Sequence, residues 1–242
     1  MPDLRIEPAP LEWRVAVAGE ETSAVFEPAL GVNVPEVAGD TGAQPARNAA
    51  VFVCAHGAGG NMNDGAMLKL AKVLRSRGLS VVRFNFLYRE KKSGRPDPMP
   101  KLEACFSAVV ARVREELNPR MLLIGGRSMG GRAASMMAAK KFECDGLLLF
   151  AYPLHPPGQP EKLRDAHLPS IEVPVLCFNG TRDPFCTKEL MEAALKAVKT
   201  RWDMRWIEGA DHSFHVLKSS GRTDAQVLEE VGAATEDWLM QM

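Results

Sequence analysis

The sequence has no excess of charge of either sign and no block of like charges. Lysine plus arginine total 30 and aspartate plus glutamate total 30, over 242 residues. A basic track for nucleic acid or a polybasic patch for a membrane surface is therefore not expected. We expect a small neutral or mildly charged molecule as the partner.

Long hydrophobic runs are also missing. No apolar run reaches the ~18 residues that a transmembrane helix requires. The first ten residues include Asp3, Arg5 and Glu7 and lack the apolar centre of a secretory signal peptide. We expect a soluble, cytoplasmic protein.

Paired cysteines are absent as well. The five cysteines are odd in number, widely spaced, and form no C-x-x-C pair of the kind found in zinc and redox sites. Cys54 and Cys177 lie in apolar runs, where a thiol packs as a small hydrophobic group. We predict no metal site.

The length suits one α/β domain over residues 1–242. Residues 1–48 are predicted to contain a hairpin, with strands at 11–18 and 23–26 and a turn at 19–21, and then a loop from residue 31. The catalytic core is predicted over residues 51–242. Whether the chain forms a homo-oligomer stays open.

From residue 51 onward, apolar runs alternate with helical patterns. This alternation predicts a mostly parallel sheet with helices on both faces, whose functional loops follow the carboxyl ends of the strands. The predicted strands are 51–55, 80–86, 121–124, 146–151, 175–178 and 204–207. The predicted helices are 64–77, 101–117, 187–199 and 224–240, with another over 132–139.

Two proline-rich loops, 89–100 and 152–169, each follow a predicted strand. We expect them to form walls of a pocket. The second loop is too short for a helical cap domain, so a fairly open pocket is predicted.

The most informative motif is Gly126-Arg127-Ser128-Met129-Gly130, which stands between an apolar strand and a helix of small residues. This context favours a nucleophile elbow, in which a serine hydroxyl is exposed on a strained turn. Small residues are needed two positions before and two after the serine, because strand and helix pass closely.

A serine hydroxyl needs a base to remove its proton, and the base needs an orienting acid, in the chain order serine, acid, histidine. Asp183 follows the strand at 175–178, and His212 follows the strand at 204–207. We predict Ser128, Asp183 and His212 as a catalytic triad. His215 is a rival base, whereas His155 and His167 precede the acid.

Backbone N–H groups are expected to hold the negative oxygen that forms during attack. Met129 follows the nucleophile, and Ala58 lies in the glycine-rich segment after the first core strand, so these two are predicted to form the oxyanion hole. The same segment, Gly57-Ala58-Gly59, is similar to the start of a dinucleotide-binding motif. Met62 replaces the third glycine, and Phe86 stands where an acidic residue is expected, so this reading is not favoured.

Four further residues are predicted to contact the substrate, and they are His56, Arg127, His155 and Phe214. Arg127 beside the nucleophile, and Arg89 from the first proline-rich loop, could favour an acidic substrate group. Solvated surface charges are the alternative for both arginines.

The sequence resembles the α/β-hydrolase superfamily, which includes dienelactone hydrolases. Its glycine-rich segment, the elbow, Tyr152-Pro153-Leu154-His155 and Asp211-His212-Ser213 are similar to the branch of testis-expressed protein 30 and the third regulatory subunit of a lysine acetyltransferase complex. The resemblance implies Ser128 as nucleophile, Asp183 as acid and His212 as base, and it implies no cofactor. From the residues together we predict a serine esterase that cleaves a small ester-like substrate through an acyl-enzyme. The alternative is a non-catalytic interaction module with the same fold.

Overall fold

A computed structural model describes residues 9–30 and 50–242. The predicted loop from residue 31 to 48 lies outside the described residues. The elements below are numbered in chain order.

The described strands form one eight-stranded sheet in the order β1-β2-β4-β3-β5-β6-β7-β8. β1 pairs with β2, and β2 with β4, in antiparallel fashion, while all other neighbours are parallel. The strands are β1 Leu11–Val17, β2 Glu20–Glu27, β3 Ala50–Ala55, β4 Ser80–Phe84, β5 Met121–Arg127, β6 Gly146–Phe150, β7 Val175–Gly180 and β8 Trp202–Ile207.

The α-helices are α1 Gly65–Ser76, α2 Leu87–Glu90, α3 Met99–Leu117, α4 Met129–Ala139, α5 Lys188–Leu195 and α6 Asp224–Leu239. Residues of α1 and α6 share one apolar core with one face of the sheet, and residues of α3, α4 and α5 share a second core with the other face. Side chains of β3 alternate between these cores: Val51 and Val53 enter one, and Phe52 and Cys54 enter the other. The predicted α/β-hydrolase fold, with helices on both faces of a mostly parallel sheet, is confirmed. Within residues 50–242, no large cap domain interrupts it.

Local chemistry explains where the helices begin. The Asp64 carboxylate accepts bonds from the N–H groups of Ala66 and Met67, which caps α1. Thr187 caps α5 as predicted, and Thr223 forms a capping box with Gln226 at the start of α6. α5 ends at Leu195, four residues before the predicted end.

The predicted hairpin is present, but its turn lies at Ala18 and Gly19 rather than at residues 19–21. Both turn residues have positive φ, 47° and 84°, as a tight two-residue hairpin turn requires. Glu20 and Glu21 are therefore part of β2, and Glu20 pairs with Val17.

The first proline-rich segment also differs from the prediction. Leu87–Glu90 forms the short helix α2, and α3 begins at Met99, so the loop is shorter than residues 89–100. Leu87 and Tyr88 of α2 are buried. Pro100 fits the second position of α3 because the N–H that proline lacks has no helical partner there.

Candidate active site

The elbow at Ser128 has the geometry that the glycine pattern predicts. Ser128 has φ 49° and ψ −115° between β5 and α4, and its N–H donates to the Phe150 carbonyl at 2.9 Å. A Cβ at Gly126 would lie 2.1 Å from the Ala55 carbonyl oxygen, and one at Gly130 would lie 2.5 Å from it. Only glycine fits at these two positions, which lets β5 and α4 approach β3 closely.

The sheet topology brings the three predicted triad residues together. Ser128 follows β5, Asp183 follows β7, and His212 follows β8. These strands are parallel, so their carboxyl ends share one edge of the sheet. Nε2 of His212 lies 3.0 Å from Oγ of Ser128, and Nδ1 of His212 lies 2.8 Å from Oδ2 of Asp183.

The Asp183 carboxylate is buried and held in place. Oδ1 accepts from the Phe185 N–H at 2.9 Å, and Oδ2 accepts from Nδ2 of Asn179 at 3.2 Å as well as from His212. With Nδ1–H of His212 donated to this carboxylate, Nε2 carries the lone pair that faces the serine hydroxyl. The arrangement can remove a proton from Ser128 and stabilise the resulting imidazolium.

Asn179 was not anticipated from the sequence. It is completely buried at the end of β7, where its amide bonds both the N–H and the carbonyl of Tyr152 in addition to Asp183. The sequence signal for Asn179 is a polar residue near the end of an otherwise apolar strand, four positions before the predicted acid.

The rival histidine His215 does not reach the elbow. Its Nδ1 lies 3.0 Å from Asp224 at the start of α6, and both side chains are more than half exposed. The loop that carries His212 is instead bonded to the elbow. A guanidinium nitrogen of Arg127 donates to the His212 carbonyl at 2.9 Å.

The glycine-rich segment places Ala58 opposite the helix start. Ala58 and Met129 both line the cavity at Ser128. Met129 is the first residue of α4, where the N–H has no intrahelical partner. No acceptor in the described part of the chain takes the Ala58 N–H. These two N–H groups are the predicted donors to an oxyanion.

His56 lies behind this segment and does not line the cavity, contrary to the predicted substrate contact. It is completely buried, with Nδ1 2.7 Å from the Gly57 carbonyl oxygen and Nε2 accepting from the Phe86 N–H at 3.1 Å. Burial lowers the pKa of His56 to about 4. The neutral ring therefore fixes the peptide between Gly57 and Ala58, whose N–H points away from the bonded carbonyl.

Of the other three residues predicted to contact the substrate, only Arg127 lines the cavity at Ser128. His155 is 3% exposed and does not line the cavity, contrary to the predicted substrate contact, and its Nδ1 lies 2.9 Å from the Pro156 carbonyl oxygen. Phe214 lines a separate cavity of about 250 Å³ on another side of Arg127.

The cavity at Ser128 has a volume of about 610 Å³, which fits a small-molecule substrate. The second proline-rich loop forms one wall as predicted, through Pro153, Pro157 and Arg164. No residue of the first proline-rich loop lines the cavity, and its Arg89 donates to the Ser93 carbonyl and lies over the Tyr88 ring.

A second serine–histidine pair lies beneath this wall. Oγ of Ser135 lies 2.8 Å from Nε2 of His167, and the Tyr152 hydroxyl lies 3.2 Å from the same nitrogen. Ser135 and Tyr152 are completely buried, and no carboxylate in the described residues bonds the His167 ring. The pair has neither access to substrate nor an orienting acid, so we regard it as a structural contact between α4 and the loop.

No group of three or more His, Cys, Asp or Glu side chains in residues 9–30 and 50–242 is arranged to hold a metal ion. In the same residues, no helix is both long and apolar enough to cross a bilayer.

A family model described as alpha/beta hydrolase domain matches residues 48–240. The chain belongs to the alpha/beta hydrolase family. The match extends over the sheet from β3 onward and over every residue that lines the cavity at Ser128.

Solved structures similar to this hydrolase cover nearly the whole chain. An alpha-beta serine hydrolase homologue from Coxiella burnetii has a TM-score of 0.72 at 20% identity, covering 93% of this chain and 96% of its own. Dienelactone hydrolase from Anabaena variabilis has a TM-score of 0.71 at 20% identity, covering 97% and 98%. A serine hydrolase without lid from Xanthomonas campestris has a TM-score of 0.67 at 21% identity, covering 93% and 94%. At these identities the likeness shows the fold alone.

Proposed function

We propose that this alpha/beta hydrolase is a serine esterase that cleaves a small ester through an acyl-enzyme. The observation that carries the proposal is the continuous chain of short contacts from Ser128 through His212 to Asp183 at one edge of the sheet. The Ser128 hydroxyl opens into a cavity of small-molecule size. The esterase domain of a Rhodothermus marinus protein and a cold-adapted esterase from an Arctic intertidal metagenomic library share the fold, which supports the reaction class.

In the proposed first step, His212 accepts the hydroxyl proton while Oγ of Ser128 attacks the ester carbonyl carbon. The carbonyl oxygen becomes negative, and the N–H groups of Ala58 and Met129 donate to it. Protonated His212 then gives its proton to the leaving alcohol as the carbon–oxygen bond breaks. Water repeats the attack on the acyl-serine with His212 again as base, which releases the acid and restores Ser128.

We further propose that the partner is a small ester-like molecule rather than nucleic acid or a membrane. We also propose that the chain belongs to the branch of testis-expressed protein 30 and the third regulatory subunit of a lysine acetyltransferase complex. The segment Tyr152 to His155 supports the branch, since it carries one of the similar motifs and forms the cavity wall at Pro153.

A fluorophosphonate probe tests the proposal, because it labels only a serine activated by its surroundings. The parent protein should be labelled, and Ser128→Ala should not. Ser135→Ala is a matched control, because Ser135 of α4 has a similarly short contact to a histidine but is buried. Labelling of Ser128→Ala, or of neither protein, contradicts the proposal, and the second result favours an interaction module.

The bond type needs a substrate panel. p-Nitrophenyl esters of increasing acyl length should be cleaved by the parent with a pre-steady-state burst, since an acyl-enzyme accumulates when its hydrolysis is slower. Matched thioesters, lactones and amides should be cleaved with lower kcat/KM. A higher kcat/KM for one of those classes would reassign the bond.

A further inference from the structure

Three arginines line the cavity at Ser128, and these are Arg127, Arg132 and Arg164. The lining contains one carboxylate, that of Asp64. This carboxylate already caps α1, and it also accepts from the Asn61 N–H at 3.2 Å. The wall of the cavity therefore carries an excess of positive charge.

None of the three arginines forms an ion pair with a described residue. Nε of Arg127 and Nε of Arg132 are both buried without a hydrogen-bond partner in residues 9–30 and 50–242. Guanidinium groups prefer carboxylate or phosphate partners with paired oxygens, and a partly buried charge left alone raises the free energy of the protein.

Elsewhere the chain neutralises its buried arginines. Arg83 is 4% exposed at its side chain and pairs with Glu27 at 2.7 Å, and Arg75 also pairs with Glu27. Both fully buried arginines therefore have a carboxylate partner, whereas the three arginines of the cavity wall have none among the described residues. This contrast indicates that the missing negative charge comes from a ligand.

Two of the three arginines line the cavity from different segments, Arg132 from α4 and Arg164 from the second proline-rich loop. Arg132 follows Ser128 by one helical turn, and its N–H donates to the Ser128 carbonyl at 3.0 Å. Arg164 is held in the proline-rich loop, where its N–H donates to the Leu154 carbonyl at 2.7 Å. Burial, and then the charge of Arg132, lowers the pKa of Arg164, which is consistent with two neighbouring cations.

We propose that Arg132 and Arg164 form a subsite for an acidic group, carboxylate or phosphate, carried by the ester substrate. The subsite deepens the proposed function by naming its substrate class: small esters with a negative charge near the scissile bond. Arg127 is not part of the subsite, because it bonds the His212 carbonyl and positions that loop.

Matched substrate pairs test the subsite. Mono-p-nitrophenyl adipate carries a carboxylate on the acyl side, and p-nitrophenyl hexanoate has the same number of carbons and no charge. 4-Acetoxybenzoate and its methyl ester make the same comparison on the leaving-group side. The parent should prefer the acidic member of at least one pair in kcat/KM.

Substitution of the arginines should remove this preference. Arg132→Gln and Arg164→Gln should each lower the acidic-to-neutral ratio of kcat/KM about tenfold, the factor expected when a charge-assisted hydrogen bond is lost. Arg132→Lys should restore part of the ratio, because it keeps the charge but not the planar fork. Arg120→Gln is the control, since Arg120 is exposed next to the amino end of β5, at the opposite edge of the sheet.

Calorimetric titration of Ser128→Ala protein with glutarate and with inorganic phosphate, at constant ionic strength, gives a readout without turnover. Binding of either anion to Ser128→Ala protein supports the subsite if it disappears in the triple variant that also carries Arg132→Gln and Arg164→Gln. The anion with the lower Kd identifies the acidic group. Circular dichroism shows whether each variant is folded. If the fluorophosphonate probe labels Ser128 but the protein neither prefers acidic esters nor binds either anion, the subsite is overturned and the esterase is not. If an anion binds in an arginine-dependent way but the probe does not label Ser128, only the esterase is overturned.

Discussion

The hydroxyl of Tyr88 donates a hydrogen bond to the carbonyl oxygen of Ala58 at 2.8 Å. Tyr88 lies on α2, outside the cavity, and Ala58 lies on its rim. The bond ties the glycine-rich segment to the short helix that follows β4. Together with His56, which bonds Gly57, it fixes the peptide groups on both sides of Ala58.

Tyr88→Phe is therefore expected to lower kcat several-fold with little change in KM, because the Ala58 N–H would be less well fixed toward the oxyanion. Steady-state kinetics on p-nitrophenyl butyrate measures both constants. Tyr152→Phe is the matched control, since Tyr152 is the other tyrosine of the chain and its hydroxyl bonds Ser135 and His167 instead. An equal loss of kcat in both variants would show that the effect is general destabilisation.

Asp183→Asn should lower kcat by a factor on the order of 10³ to 10⁴, because the amide no longer holds the His212 tautomer that accepts the serine proton. Kinetics and fluorophosphonate labelling rates measure the loss. Asp211→Asn changes a carboxylate on the His212 loop that accepts from Ser213 and His215 N–H groups, and it should cost far less. A larger loss in Asp211→Asn would mean that the orienting acid has been misassigned.

Gly126→Ala should destabilise the fold by several kcal/mol or prevent folding, because the added Cβ would overlap the Ala55 carbonyl and Gly126 has φ 140°. Denaturant unfolding measures the free energy of unfolding. Gly65→Ala at the start of α1 is the control, since no atom lies within 4 Å of its added Cβ. Unchanged stability in Gly126→Ala would contradict the tight passage of β5 against β3.

Stability should fall as the pH is lowered from about 6.5 toward 4. Burial, and then the charge of Arg132, lowers the pKa of His167 to about 4, so the unfolded chain binds a proton in this range before the folded one does. The contribution is present above the unfolded pKa and is lost as the pH falls toward the folded value. The loss amounts to at most about 3 kcal/mol for this side chain.

His167→Gln should flatten this part of the pH profile of the free energy of unfolding, although it also removes the contact with Ser135. The measurement is urea unfolding at several pH values between 4 and 7, for the parent and the variant. A variant whose stability falls by the same amount as that of the parent over this range would show that His167 titrates normally in the folded protein.

Much of the fold could be predicted from the sequence because its core strands are buried on both faces and therefore appear as continuous apolar runs. The triad geometry also agrees with its sequence pattern, since residues that follow parallel strands of one sheet converge at one edge. Its catalytic roles stay a prediction.

Other features depend on tertiary contacts that the linear pattern does not show. α2 has only four residues, too few for a periodic pattern, and its burial comes from packing of Leu87 and Tyr88 in the core. The prediction that His56 contacts substrate is wrong, because the side chain is buried in the core beside Phe86. The direction in which a side chain points at the end of a strand is set by the local backbone conformation, and the residue types alone do not specify that conformation.

Ser128, Asp183 and His212 are supplied by the ends of three separate strands, and the N–H of Ala58 by the end of a fourth. No contiguous fragment of the polypeptide contains the whole set in place. Partial unfolding of any of these strands should abolish turnover, so during a urea titration esterase activity should disappear no later than the ellipticity changes.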